Sequence, residues 1–250
     1  MILGMSAGIW FCLIIGAVIL DYLIGDPKKI PHPIVFIGKF VGFLTKKLNK
    51  GKARKFKGLI LWVMTMLITA VAVLAVQYVF WRISIVLFWI VNLYLLSTTV
   101  AARCLSQEVT KVSDALADKD LEKARTMVGY LVGRDTTNLD EKEIIRATVE
   151  TTAENTIDGV LAPIFYMSIG CILWMFIPAL NPLVLAMLYK AVNTMDSMVG
   201  YVQEPFKKFG YFAAKIDDGA NFIIARLGSF FMLMGGFFLG YNTKEGRRIY

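Results

Sequence analysis

The sequence predicts an all-α, polytopic membrane protein, and three observations carry that prediction. Apolar side chains make up 57% of the 250 residues, and the mean hydropathy is +0.60, too apolar for an ordinary soluble domain. Charged side chains make up only 18%, and they fall in blocks. Between the blocks lie apolar runs, each near the roughly 20 residues a helix needs to cross about 30 Å of hydrocarbon. A helix satisfies its own backbone groups there, so helix is the expected form of every run.

The first run covers about residues 2–20 and ends at Asp21, where Gly25-Asp26-Pro27 breaks the helix. It has no basic leader and no small-residue cleavage site, so it reads as a retained span and not as a signal peptide. Runs two and three, about 58–80 and 83–102, are separated by a few residues around Trp81-Arg82 and read as a tight hairpin. The fourth and fifth cover about 159–177 and 222–241, which makes about five spans in a single membrane-embedded unit. Residues 183–200 begin apolar, but Lys190, Asn193 and Asp196 follow. That stretch reads either as a helix packed against the spans or as one lying at the interface.

The main polar region is 103–158, with twelve acidic side chains against eight basic ones. Asp118-Lys119-Asp120 separates two helical stretches. Leu121, Ala124, Val128 and Leu131 recur at helical spacing, and Gly133 is expected to end that helix. Asn138 is the expected N-cap of a further helix over about 139–155, with Asp140 and Glu141 in its first turn.

The net charge is +8, and ten basic residues lie between Lys28 and Lys57. Because they flank apolar runs, they read as topology determinants touching anionic lipid, and nucleic acid is not an expected partner. Residues 21–57 and 103–158 then face the cytoplasm, on a multi-pass protein of the cell membrane. The side of 201–221 depends on whether 183–200 crosses. The three cysteines form no CxxC pair, and a single histidine, His32, excludes multi-histidine metal sites. The chain has no GxxxxGK[ST], GxGxxG or GxSxG motif.

Several stretches carry residues fit for chemistry. Arg146, Glu150 and Glu154 are four apart and share a helix face, and Asp158 continues the line if the helix persists. Such carboxylates suit magnesium, which takes oxygen ligands and substrate phosphates; a solvated face laced by an ion pair is the alternative. Lys190, Asn193 and Ser197 lie near one face inside an apolar run, with Asp196 beside them. Polar groups there are functional or form interhelical hydrogen bonds. Arg226 sits inside the fifth run, where Asp217, Asp218 or a phosphate would offset its cost, or the side chain snorkels to the interface. The prolines flanking His32 stiffen its turn, and Arg134 stands in a small polar turn, Gly133-Arg134-Asp135-Thr136.

In order along the chain, these stretches resemble the adenosylcobinamide-phosphate synthase family of cobalamin biosynthesis, the CobD/CbiB family. The pieces are Leu20-Asp21 with Gly25-Asp26-Pro27 and Pro31-His32-Pro33, then Val132-Gly133-Arg134-Asp135-Thr136 with Leu139-Asp140-Glu141. Val149-Glu150, Ala153-Glu154-Asn155 and Asp158-Gly159 follow, leading to Ala162-Pro163. Then come Tyr189-Lys190, Asn193-Thr194, Asp196-Ser197-Met198 and Gly200-Tyr201, followed by Phe209-Gly210, Asp217-Asp218 and Ala225-Arg226-Leu227. The combination is specific, although no single piece is. Ile224 stands where a proline is expected, Gly228 where a threonine is, and Gly170-Cys171 where a Gly-Gly pair is. The resemblance also implies a further polar segment beyond Tyr250, so a short member and a piece of a longer chain both stand as readings.

The resemblance implies an ATP-dependent ligase that joins adenosylcobyric acid to aminopropanol phosphate, or a related amino-alcohol phosphate, through an amide bond. It implies ATP and magnesium as cofactors, and a corrinoid and an amino-alcohol phosphate as partners, with other cobalamin-assembly enzymes beside them. Glu154, Asp158 and Asp196 are assigned to magnesium and nucleotide. Lys190, Arg134 and Arg226 are assigned to phosphate groups, and His32 or Asp26 to the base or a corrinoid contact. Asn155, Asn193, Asp217 and Asp218 complete the binding set. The competing readings are a small transporter or channel that uses the same polar residues, and a membrane scaffold that docks partners through 103–158.

Overall fold

A computed structural model describes residues 7–27, 30–133 and 135–241. All of its regular structure in that range is helical. The order is α1 (Ala7–Ile24), α2 (Pro33–Leu48), α3 (Arg54–Ile83), α4 (Ile85–Ser97), α5 (Ala102–Ala117), α6 (Leu121–Gly129) and α7 (Glu141–Thr156). A π turn at Ile157–Leu161 leads into α8 (Ala162–Trp174), then α9 (Pro182–Val199) and α10 (Tyr211–Phe238). Four helical stretches are long and apolar enough to span a bilayer: 54–83, 85–117, 141–174 and 211–238; α1 is a shorter apolar helix. The protein is therefore an all-α polytopic membrane protein.

The helix hairpin turns on the single residue Ser84, whose side chain caps α4 by accepting from the Val86 amide at 3.3 Å. Two expected boundaries move. The helix after Asp120 ends at Gly129 and not at Gly133. The N-cap of α7 is Asp140 and not Asn138, because Asp140 and Glu143 form a reciprocal capping box.

Residues 183–200 are packed, not interfacial. Helix α9 touches α8, α3, α2, α10 and α4, and eleven of its 18 residues are buried. At its start, Asn181 and Gln77 of α3 exchange hydrogen bonds of 2.9 and 3.1 Å, and Gln77 also donates to Asn92 of α4 at 2.7 Å. In an apolar medium such interhelical bonds contribute on the order of 1 kcal/mol each. Beyond the other end, Glu204 pairs with Arg54 at 3.1 Å, and Asn49 donates to the Pro205 carbonyl at 3.3 Å. The loop after α9 therefore lies at the same end of the bundle as the loop before α3. Gly170 permits the close crossing of α8 and α9, since a Cβ there would collide with the backbone of Pro182. The neighbouring Cys171 is only partly buried and has room for its side chain.

Two irregularities in the long helices meet and shape the site. The third apolar run breaks at Ser97, and the Ala101 amide donates to the Gly159 carbonyl of the π turn at 2.9 Å. Asp21, 1% exposed, caps the restart: its Oδ2 accepts from the amides of Ala102 and Arg103 at 2.9 and 3.3 Å. Arg103 in turn donates to the Tyr22 carbonyl at 2.7 Å. Asp21→Ala is expected to cost about 1–2 kcal/mol, as lost N-caps do. It should lower the thermal midpoint in detergent by several degrees, at ~2–4 °C per kcal/mol for a chain of this size.

The remaining helices form two appendages. Helices α5, α6 and α7 bury Val112, Ala115, Ala124, Val128, Ile144 and Ala147 as a satellite core beside the spans. Helix α2 runs back along α3: its Val41 and Leu44 pack near Leu61, while Pro33 lies level with Val73 and Val76. The turn ahead of α2 thus reaches towards the middle of the bundle.

Candidate active site

A cavity of about 630 Å³ opens where the π turn, α7, α9 and the turn after α6 converge. Glu150, Glu154 and Asn155 reach it from α7, Asp158 from the π turn, and Asn193, Asp196 and Ser197 from α9. Gly133 and Tyr130 close one side, and Gly200 and Tyr201 the other. One continuous helix supplies the first four polar groups, because residues 141–174 run without a break. The π turn inserts an extra residue into the helical count, which turns Asp158 out of strict phase with Glu154; π turns recur at functional sites for this reason.

Asp158 stands at the centre of the cluster. Its Oδ2 accepts from Asn193 Nδ2 at 3.2 Å, and the charges of Glu154, Lys190 and Asp196 all act on it. Lys190 lies behind, only 9% exposed, within electrostatic reach of Asp158, Asp26 and Asp217. Its ammonium makes no ion pair or hydrogen bond with the other described residues. A buried cation in a bundle is costly, and such groups mark function.

Asn155 is held by Thr151, to which its Nδ2 donates at 2.9 and 3.0 Å. Thr151 donates to the Leu131 carbonyl at 3.1 Å, tying α7 to the turn that lines the cavity mouth. That turn is itself braced: Asp135 Oδ1 accepts from the Thr137 amide and hydroxyl at 3.0 and 2.8 Å, and these bonds hold its carboxyl below the usual range. Arg134 lies outside the described residues, between Gly133 of the cavity wall and Asp135.

Other expected site residues lie around this cavity. His32 caps α2 by accepting from the Ile34 amide on Nδ1 at 3.3 Å, while Nε2 faces Asp26 Oδ1 at 3.2 Å. That pairing places the neutral-ring proton on Nε2. The pair approaches Lys190 and does not line the cavity. Asp217 is buried on α10: its Oδ2 accepts from Asn221 Nδ2 at 3.1 Å, Asn221 accepts from the Tyr189 hydroxyl at 3.0 Å, and Oδ1 makes no hydrogen bond among the described residues. The charges of Asp196 and Asp158 reach it, so it backs the cluster from behind α9. Asp218 faces solvent, paired with Lys215 at 2.9 Å.

Of the readings offered for Arg226, the carboxylate partners are not seen: Arg226 has neither Asp217 nor Asp218 as partner. It is exposed, stacked over Phe222 at 3.7 Å, and donates to the Phe222 carbonyl at 2.7 Å. The helix turns it away from the cavity, because Asp217, Ile224 and Gly228 occupy the inward face of α10. Arg226→Ala is therefore expected to change the rate of the reaction proposed below less than about twofold, within the range of a surface substitution. A steady-state assay beside the wild type checks this. Sequence reasoning also missed Tyr130 and Thr151. Neither is charged, and only their packing brings them to the cavity.

Among the described residues, no three or more His, Cys, Asp or Glu side chains are grouped tightly enough to hold an ion by themselves. The set fits a cation bound by one or two carboxylates, with substrate phosphates and water completing its shell, which is the habit of magnesium.

Fold and site together define a class: a polytopic helical membrane protein with an acidic, lysine-backed cavity at one end of its bundle. The chain belongs to the CobD/CbiB family of cobalamin biosynthesis, since the profile of the family described as CobD/Cbib protein matches residues 14–248. A relative from Listeria monocytogenes (strain F2365), called cobalamin biosynthesis protein CobD, is 45% identical over 234 residues, which is 92% of this chain and 71% of the relative. A protein of the same name from Clostridium perfringens (strain 13) is 41% identical over 240 residues, covering 95% and 72% of the two chains. One from Leptospira interrogans (strain Fiocruz L1-130) is 37% identical over 231 residues, covering 92% and 70%. No solved structure matches the chain.

Proposed function

We propose that this protein forms an amide bond on a corrinoid, joining adenosylcobyric acid to an amino-alcohol phosphate such as aminopropanol phosphate with ATP as co-substrate. The observation that carries the reading is the meeting of Glu154, Asp158, Asn193 and Asp196 in one cavity, with the buried Lys190 behind them. Family membership supports the same reading.

The chemistry sets what these residues must do. A propionate carboxylate is a poor acylating group, because its oxygen leaves badly at neutral pH. Attack of that oxygen on a phosphorus of ATP, with ADP or pyrophosphate departing, makes it a good leaving group. The amine nitrogen then bonds to the carbonyl carbon, the phosphorylated oxygen departs, and the amine gives up a proton. One or two of Glu154, Asp158 and Asp196 would hold magnesium, with substrate phosphates completing its shell; when bound it neutralises phosphate charge. Lys190 supplies fixed positive charge next to Asp158, and the turn carrying Arg134 would hold a phosphate at the mouth. Asn193 orients the Asp158 carboxylate, and Asn155 is held in place for a substrate polar group. Asp26 and His32, which pair with each other outside the cavity lining, would serve as a proton acceptor or a corrinoid contact. The active end is proposed to face the cytoplasm of the cell membrane, since Lys50, Lys52 and Arg54, next to the loop after α9, lie at that end.

Purified protein in detergent should consume magnesium-ATP only when cobyric acid and aminopropanol phosphate are both present. Consumption with neither, or with only one, would remove this reading. Solute uptake by vesicles carrying the protein, without nucleotide consumption, would favour a transporter instead.

A further inference from the structure

We propose that the groove between α2, α3 and α4 is a binding site for one anionic phospholipid, with an acyl chain in the groove and the headgroup on Lys46 and Lys47. The groove has a volume of about 530 Å³ and an almost wholly apolar wall, including Phe36 and Phe40 of α2, Ala72 and Val76 of α3, and Leu95 of α4. It shares no lining residue with the acidic cavity.

The path from groove to headgroup is written on one helix. Phe36, Phe40, Phe43 and Lys47 follow one another at steps of four, three and four residues, so they form a single stripe along α2. The first two line the groove. Phe43 is half exposed, and the Lys47 ammonium sits over its ring at 4.4 Å. From Phe36 to Lys47 is eleven residues, about 16 Å along a helix. That matches one leaflet of hydrocarbon, about 15 Å. Lys47 therefore stands at headgroup level if the groove takes the chain.

Charge decides which lipid. No acidic residue occurs between Asp26 and Glu108, so α2, α3 and α4 carry none, while Lys46 and Lys47 are exposed on the last turn of α2, and Lys50 and Lys52 follow in the loop. Each lysine near a headgroup contributes about 1 kcal/mol towards an anionic lipid. A zwitterionic lipid satisfies the groove and gains little from the lysines.

Native mass spectrometry of the full chain, released from vesicles of phosphatidylcholine and phosphatidylglycerol in equal parts, tests this. One phosphatidylglycerol should be retained in clear preference to phosphatidylcholine. The double variant Lys46→Ala, Lys47→Ala changes only exposed side chains; it should lose that preference by roughly tenfold or more. Val76→Trp, which fills the groove from its partly exposed wall, should lose the bound lipid while leaving the lysines in place. Retention of both lipids alike by the wild type, no retained lipid, or phosphatidylglycerol retained at wild-type level by either variant would overturn the proposal.

Discussion

Lys190→Met is expected to cut amide formation at least about 100-fold while leaving the protein as stable as the wild type or more so. The two halves have one cause. Lys190 is buried to 9% exposure among carboxylates on the π turn, on α10 and ahead of α2, and its ammonium has no direct partner in the described protein. A buried charge is a cost to folding, and replacing it with an apolar side chain of similar length is often neutral or stabilising. What the charge provides is a fixed positive pole where phosphate charge must be met. Loss of one such group from a preorganised site costs about 3–4 kcal/mol of transition-state stabilisation, on the order of 100- to 1,000-fold in rate. The check is product formation beside a thermal unfolding curve. Near-normal rate would make Lys190 a packing residue, and collapse of the fold would make it a structural ion-pair partner.

Asp158→Asn is the second large effect. The substitution keeps size and shape, and the new amide oxygen can still accept from Asn193, so the wall of the cavity stays in place. It removes one negative charge from a cluster shared with Glu154 and Asp196. The rate at fixed magnesium should fall by on the order of 100-fold, in the range of a lost charge-stabilising group. The magnesium concentration giving half-maximal rate should rise as well. A titration of rate against magnesium separates the cases: if the rate drops with the half-maximal concentration unchanged, Asp158 acts on the proton and not on the cation. Glu154→Gln should behave in the same direction and more weakly, because Glu154 is more exposed.

Much of this site was legible before any coordinates. The four-residue spacing of Arg146, Glu150 and Glu154 predicts one helix face; the structure keeps that face, with an Arg146–Glu150 ion pair at 2.7 Å. The ion pair forms as one of the two readings has it, and Glu154, one turn further on, lines the cavity. The pairing of Asp158 with Asn193 was beyond reach, because it depends on a π turn that no residue pattern announces. Helix α9 read as ambiguous because its polar residues face the cavity or neighbouring helices. Amphipathic patterning distinguishes an apolar face from a wet one and says nothing about a helix wrapped by five others. Arg226 stayed open between a carboxylate, a phosphate and the interface for a related reason. Cost arguments find a cation in an apolar run, but its direction depends on which face of α10 the bundle buries.

The fold shows the same division. The runs and the hairpin follow from composition, because bilayer thickness fixes their length. The Gln77–Asn92–Asn181 cluster joins three helices 15 and 104 residues apart in sequence, and the cap of α5 by Asp21 spans 81. Such contacts are made by packing after the helices exist, and local sequence carries no trace of them.

The central claim is that this cavity activates a carboxylate with ATP and then hands it to an amine. The most direct measurement labels the reacting carboxylate of cobyric acid with oxygen-18 and follows the label by mass spectrometry after incubation with aminopropanol phosphate and magnesium-ATP. One labelled oxygen should appear in the released phosphate or in the phosphate of the nucleotide product, alongside a corrinoid with the mass of the amide. An amide formed with no label on phosphorus, or no amide at all from intact protein, would contradict the account.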